Sequence, residues 1–405
     1  MVNRFAILVG LAASMGACAV VLGIDPIAYV DPAGDGAPFE SSTTDASVAD
    51  ALDALADVAT DVSAPKDDAA ACDAATPEHC GRCGHSCLGG ACVDAACTPV
   101  PLAQASGILA GLAIHDDELF VTALQAEAVL RVAKDGGALV SAAAPMPDGG
   151  SAVHSPWGVA VDATHVYWAN ASVIEGSTAR APLDGGPSEV LLGGLQIPRG
   201  LVLTGDAVVV AEWNGFRIVR HDKGGPTGLW AHATDNASGH VAAQGAQVFW
   251  LEESGGVLGR ITDDGGSPVR IPPVGTPPPG GDARGLVLTK THVYWGTPTS
   301  NAHQAGIFRA ARSSGVIERF ATAEAYPTAL AADTDALYWV GAEVLADGGK
   351  GTAGVVMTCA FSGGGACGAS TRLSETASEP LAIAVDPVAV YWVERSGAVM
   401  RVAKP

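Results

Sequence analysis

From residue 98 onward the chain alternates apolar and polar positions in short runs, and these runs recur as one unit. Seven stretches open on a small residue or His and continue apolar: Gly111, Gly158, Gly200, His240, Gly285, Ala329 and Ala382 are their first positions. Eight residues after each comes a second apolar run: Leu119-Phe120-Val121, Val166-Tyr167-Trp168, Val208-Val209-Val210, Val248-Phe249-Trp250, Val293-Tyr294-Trp295, Leu337-Tyr338-Trp339 and Val390-Tyr391-Trp392. A third run carries Arg131, Arg180, Arg220, Arg260, Arg309 or Arg401, with Thr358 in the remaining copy, and Gly-rich turns such as Asp184-Gly185-Gly186 lead into a fourth. Period-two alternation broken by Gly-rich turns predicts four short antiparallel strands per unit.

Unit starts lie 40 to 53 residues apart, a spacing that fits a β-propeller blade rather than a helical repeat. The last unit stops directly after its third strand, at Val399 to Pro405, while the segment Val100 to Ser106 precedes the first unit without its opening pattern. Supplying the missing outer strand from that segment would close the ring and remove an open sheet edge. At about 44 residues per unit, residues 98–405 are expected to form an all-β, seven-bladed propeller with N-terminal strand closure. Tyr391-Trp392-Val393-Glu394 and Tyr167-Trp168-Ala169-Asn170 make the repeats resemble YWTD and NHL type propellers. The Thr-Asp half of the YWTD signature is absent from every copy, so the resemblance implies the fold and not calcium-tied or receptor-like behaviour.

What precedes the propeller divides into three. Arg4, the apolar run Phe5 to Ala13 and Ser14-Met15-Gly16-Ala17-Cys18 form an export signal. It resembles a bacterial lipoprotein lipobox with Met15 in place of the usual Leu, which implies lipidation at Cys18. Ordinary secretion and an uncleaved helix, Phe5 to Ile24, are the alternatives; all three place the rest outside the cytoplasm, in the cell envelope or on its surface. Residues 19–71 contain 11 acidic side chains and one Lys, and their only aromatics are Tyr29 and Phe39. Such a segment cannot bury enough apolar surface to offset the entropy of ordering, so it reads as a disordered tether.

Residues 72–97 contain Cys72, Cys80, Cys83, Cys87, Cys92 and Cys97. A segment this short lacks a core, and an exported chain favours disulfides, whose pairing spacing alone leaves open. Zinc held by Cys80-x-x-Cys83 with His79 and His85 is the competing reading. From His79 to Cys92 the segment resembles the HCGxCGxxCxGGxC modules that follow Asp/Ala-rich tethers in myxobacterial surface lipoproteins. It is expected to be a separate module, oxidised and metal-free. Cys359 and Cys367 should staple a local hairpin.

A net charge of −21, from 22 basic and 43 acidic residues, excludes nucleic acid as a partner. No nucleophile elbow, zincin helix or phosphate loop occurs. Loops entering the first strands and joining the second to the third usually form a propeller's ligand face. Here they offer His154, Trp157, Arg199, Glu212, Trp213, Asn214, His240, Arg284, Tyr326 and Glu379, a mixed-charge rim suited to a protein, peptide or glycan. The expectation is a monomeric, non-enzymatic binding protein that needs no cofactor and no metal and is held to a membrane by lipid. The alternative is a metal-dependent lactonase or lyase using Glu175, Glu212, Asn214, Glu253 and His303. The Arg repeated on the third strand, present in six blades, reads as an interblade or turn contact.

Overall fold

A computed structural model describes residues 73–253, 257–271, 283–297, 306–313, 316–322, 325–345, 350–361 and 366–405. Residues 1–72, with the proposed signal, Cys18, the tether and Cys72, lie outside the described residues. Seven four-stranded antiparallel sheets form a ring. The innermost strands are Leu109–His115, Pro156–Val161, Pro198–Thr204, Ser238–Gln244, Arg284–Leu288, Ala325–Ala332 and Pro380–Val385, numbered here as blades 1 to 7. Each packs beside the innermost strand of the next blade, and that of blade 7 meets that of blade 1. These strands border the central channel and are only partly buried, whereas the second strands, such as Ala207–Glu212 and Ala389–Glu394, are buried throughout.

The hydrophobic core is divided into seven clusters, one in each seam between neighbouring blades. The aromatic pair on the second strand explains this division, because successive side chains point to opposite faces of a sheet. Tyr391 of blade 7 packs with Leu119 and Val121 of blade 1, while Trp392 packs with Tyr338 and Val340 of blade 6. Tyr167 and Trp168 divide in the same way between blades 3 and 1. Trp168, Trp250, Trp295, Trp339 and Trp392 are completely buried, so these bulky rings fill the gaps that twisted sheets leave between them.

Polar bonds cross the same seams. Third-strand arginines reach main-chain carbonyls of the following blade: Arg180 to Lys223 at 2.7 Å, Arg260 to Arg312 at 2.9 Å and Arg401 to Lys134 at 2.6 Å. This bears out the interblade reading for Arg180, Arg260 and Arg401, while Arg220 bonds the Gly228 carbonyl in the turn of its own blade and Arg131 and Arg309 bond Glu118 and Glu318 of theirs. Lysines just past the third strand reach back to the preceding blade. Lys223, Lys404 and Lys134 pair with Asp162, Asp333 and Asp386 at 2.9, 2.5 and 2.9 Å. The same carboxylates accept the hydroxyls of Tyr167, Tyr338 and Tyr391. Burial opposes ionisation of each Asp, but the Lys and two backbone N–H groups outweigh it and hold each carboxyl below the usual range.

Closure follows the expected scheme. Val100–Gln104 pairs antiparallel with Ala398–Ala403 as the outer strand of blade 7, and Leu102 enters the seam between blades 7 and 1. Val100 is only half-buried.

The cysteine-rich segment departs from expectation. It was expected to stand apart, yet Cys80, Cys87 and Cys97 belong to the cluster of Trp392, Val402 and Ala403, in the seam between blades 6 and 7. Disulfides join Cys80 to Cys92 and Cys87 to Cys97, Cys83 is also oxidised, and Cys359 is joined to Cys367. The sulfurs of Cys80, Cys87 and Cys97 cluster because two bridges lie side by side. His79 Nδ1 accepts the Gly84 N–H, and His85 contacts the carbonyls of Cys80 and Lys404 through its two ring nitrogens. Both histidines of the zinc reading are thus engaged in hydrogen bonds. Arg82 donates to the Pro405 carbonyl and Arg401 to that of Leu88. Too small to bury a core of its own, the segment completes its burial on the closing blade.

Candidate functional site

Every innermost strand carries a register irregularity near its start. The residues left out of the ladder are Ala110, Trp157 with Gly158, Arg199, Gly239, Gly285, Thr328 and Leu381. A bulge bends the strand and re-aims the side chain it frees. In blades 2 and 3 those side chains are Trp157 and Arg199; in blade 4 His240 follows the bulge, and in blade 5 Arg284 precedes it.

The crossing loops complete the cluster. Arg199 Cζ lies over the ring of Trp157 at 4.8 Å from its centre and over that of Trp213 at 4.3 Å, so both indoles give the guanidinium cation–π contact. Glu253 accepts the Trp213 indole N–H at 3.0 Å and supports the charge of Arg199. Arg199 Nε is buried without a hydrogen-bond partner. Gly239 has no Cβ because one would lie 2.4 Å from Glu253 Oε1. Burial, then Arg284 and Arg199, push the His240 imidazole down to about 3, which keeps it neutral at ordinary pH.

Backbone hydrogen bonds tie the rim loops to one another. Entry-loop carbonyls accept crossing-loop N–H groups at one repeated position: Ser155 from Ala171, Ile197 from Trp213, Ala237 from Glu253 and Glu379 from Arg395. Ser155 and Ile197 take positive φ, 48° and 49°. A β-branched residue rarely adopts that conformation, and strain of this kind collects at functional sites.

Of the rim residues expected from sequence, the structure brings together Trp157, Arg199, Trp213, His240 and Arg284. The others serve elsewhere. Glu212 is fully buried, bound by Arg217 at 2.6 Å and the Gln196 N–H at 2.9 Å, and so ties its own loop. Glu379 is held by Lys350 and Arg395 at 2.7 and 3.0 Å; these cations outweigh burial and hold its carboxyl below the usual range. His154 donates its main-chain N–H to Asn170, Tyr326 is buried, and Asn214 is exposed with its N–H on Gln196. For the metal alternative, Glu175 is exposed, Glu212 and Glu253 have the partners described, and His303 lies outside the described residues. Among the described residues no three His, Asp or Glu side chains converge as ligands. Glu253, the residue that orders the cluster, was one polar loop residue among many in the sequence.

No protein-family model and no curated protein matches the chain. Solved structures do. A virginiamycin B lyase from Staphylococcus aureus is similar over 76% of this chain and 99% of its own, at 15% identity and TM-score 0.60. The WD40 propeller domain of Doa1 is similar over 76% and 96%, at 10% and 0.57. The computationally designed Ika8 protein is similar over 75% and 98%, at 13% and 0.53. At these identities the likeness shows the propeller fold alone.

Proposed function

We propose that this chain is an exported, lipid-anchored binding protein of the YWTD/NHL-like repeat type. Its propeller holds part of a protein, peptide or glycan at the channel mouth over blades 2 to 5. The observation that carries the reading is Arg199, whose guanidinium lies over the rings of both Trp157 and Trp213, on a rim whose loops are already tied. Preorganised polar groups among aromatic faces suit recognition, because little ordering entropy is lost on binding. Peptide and glycan arrays probed with the full-length chain test it. Captured ligands should be lost in Trp213→Ala, whose ring stacks on Arg199; a chain that captures its ligands equally well without Trp213 does not use this mouth. The export and anchoring half rests on residues 1–18. Cys18→Ser should shift the protein from membranes to the soluble extracytoplasmic fraction, and unchanged membrane retention would favour an uncleaved helix.

A further inference from the structure

We propose that the apolar side chains on the crossing loops of blades 2 and 3 bind a peptide segment of a partner protein, one that carries apolar residues beside Lys or Arg. This rests on the reading that the mouth is the binding site, and within that reading it selects a protein ligand. Val173 and Ile174, on the crossing loop of blade 2, are 63% and 89% exposed, and Phe216, on that of blade 3, is 46% exposed. Apolar residues scattered singly over a surface are ordinary, but these share one end of two adjacent blades. Backbone bonds tie the two loops together: the Ile197 N–H donates to the Ser172 carbonyl at 3.1 Å, and the Ile197 carbonyl accepts the Trp213 N–H at 3.0 Å. Ser172 Oγ accepts the N–H groups of Ile174 and Glu175 at 3.3 and 3.0 Å, which fixes the loop tip that carries both aliphatic side chains.

Neither the core nor the turn accounts for these residues. Phe216 takes a φ of 49°, a conformation that favours Gly or Asn. The same position, just before the third strand, is Glu127 in blade 1 and Gly397 in blade 7, so the turn does not require an aromatic ring. Ile197 likewise stands at 49° where blade 2 has Ser155. Charge decides the occupant. The crossing loops of blades 1 to 3, residues 124–127, 171–175 and 213–216, carry Glu127 and Glu175 and no Lys or Arg. Both acids are exposed and form no ion pair among the described residues. The entry segments of these blades add exposed Asp148, His154 with its ring on the Ser151 carbonyl, and Arg199, whose guanidinium lies over Trp157 and Trp213. Arg217, which follows Phe216, is bonded to Glu212 at 2.6 Å. The exposed, unpaired charges around the apolar residues are therefore acidic. A second copy of this chain seated on the same patch would oppose like charges, and an anionic bilayer would be repelled for the same reason. Branched aliphatic side chains offer a glycan no hydrogen bond, whereas with Phe216 they match the apolar side chains of a peptide, and Glu127 and Glu175 match its cations.

An array of hexapeptides built from Leu, Phe, Ser, Lys and Glu, probed with the full-length chain, tests the assignment. Captured peptides should combine Leu or Phe with Lys. The strongest of them, titrated by calorimetry, should bind Ile174→Ser about tenfold or more weakly, the scale of one buried aliphatic side chain. The unfolding transition of that variant should not move, because Ile174 lies outside the core. Glu175→Gln should lose about threefold, and the loss should disappear at high salt. No captured peptide, capture of acidic or wholly polar peptides, or unchanged affinity in Ile174→Ser would each overturn the assignment. So would binding to phosphatidylcholine or phosphatidylglycerol vesicles, or a dimer in analytical ultracentrifugation, if either is lost in Ile174→Ser. Peptides that need Trp213 but ignore Ile174, or glycans captured in place of peptides, would remove this claim alone; ligands that ignore both residues would remove the mouth as well.

Discussion

Deleting residues 73–97 while keeping the closing strand from Val100 should destabilise the whole propeller. Among the described residues, three bonds join the cysteine segment to the last strand and the residues after it: Arg82 to the Pro405 carbonyl, His85 to that of Lys404 at 2.6 Å, and Arg401 to that of Leu88. Two have guanidinium donors, but Arg82 is exposed and its bond is long at 3.3 Å, so it adds little. Taking about 1 kcal/mol for the His85 bond and about 1.5 to 3 for that of Arg401 gives roughly 2.5 to 4 kcal/mol. Loss of Cys80, Cys87 and Leu88 also uncovers part of Trp392, Val402 and Ala403 in the seam they share, adding roughly 1 to 2 kcal/mol at 25 cal/mol per Å2 if about 40 to 80 Å2 of apolar surface is exposed. Against a total of about 5 to 15 kcal/mol, the melting temperature should drop on the order of 10 °C. Differential scanning calorimetry on the intact and deleted chains measures it. A deleted chain that melts within about 2 °C of the parent would show that the segment rests on the blade without holding it, and would refute the reasoning.

Removing residues 98–106 as well should be more damaging, since it opens the ladder between Val100–Gln104 and Ala398–Ala403 and empties the Leu102 site, worth about 2 kcal/mol alone; size-exclusion chromatography should show aggregation, and a monodisperse product would contradict closure as the source of stability. Acid should loosen the seams: the carboxyls of Asp162, Asp333 and Asp386 lie below their ordinary values, so the stability they contribute is complete above about pH 4 and is lost as pH falls through the folded values. Melting temperature measured down the pH scale should fall in that window, with a shallower fall in Asp386→Asn; identical acid profiles would remove the Lys134 pair from the account. Gly239→Ala should push Glu253 off Trp213, costing about 1 kcal/mol and weakening capture of any array ligand, whereas undiminished capture would mean Glu253 does not order the mouth.

The repeat determined most of the fold by itself. Seven Gly or small openings, seven second strands at a constant offset and a C-terminus one strand short specify blades and closure, because period-two alternation and edge avoidance are local rules that sequence obeys directly. The sequence also held the site in weak form. At the position just before each unit start, Trp157, Arg199 and Arg284 break a series otherwise made of Ala110, Gly239, Thr328 and Leu381, and Trp213 and Glu253 share one position in successive units. What the sequence lacked was any means of telling a rim carboxylate that holds a neighbouring blade's tryptophan from one that ties its own loop. Glu212 and Glu253 look alike on paper. Only the tertiary structure buries the first on Arg217 and sets the second beside Arg199, because that choice depends on a bulge in one strand and a loop from the next blade. The docking of the cysteine segment is illegible for a related reason: spacing reveals cross-links, but a small module's missing core is made up by whichever surface it meets, here blade 7, and that contact joins residues more than 300 positions apart.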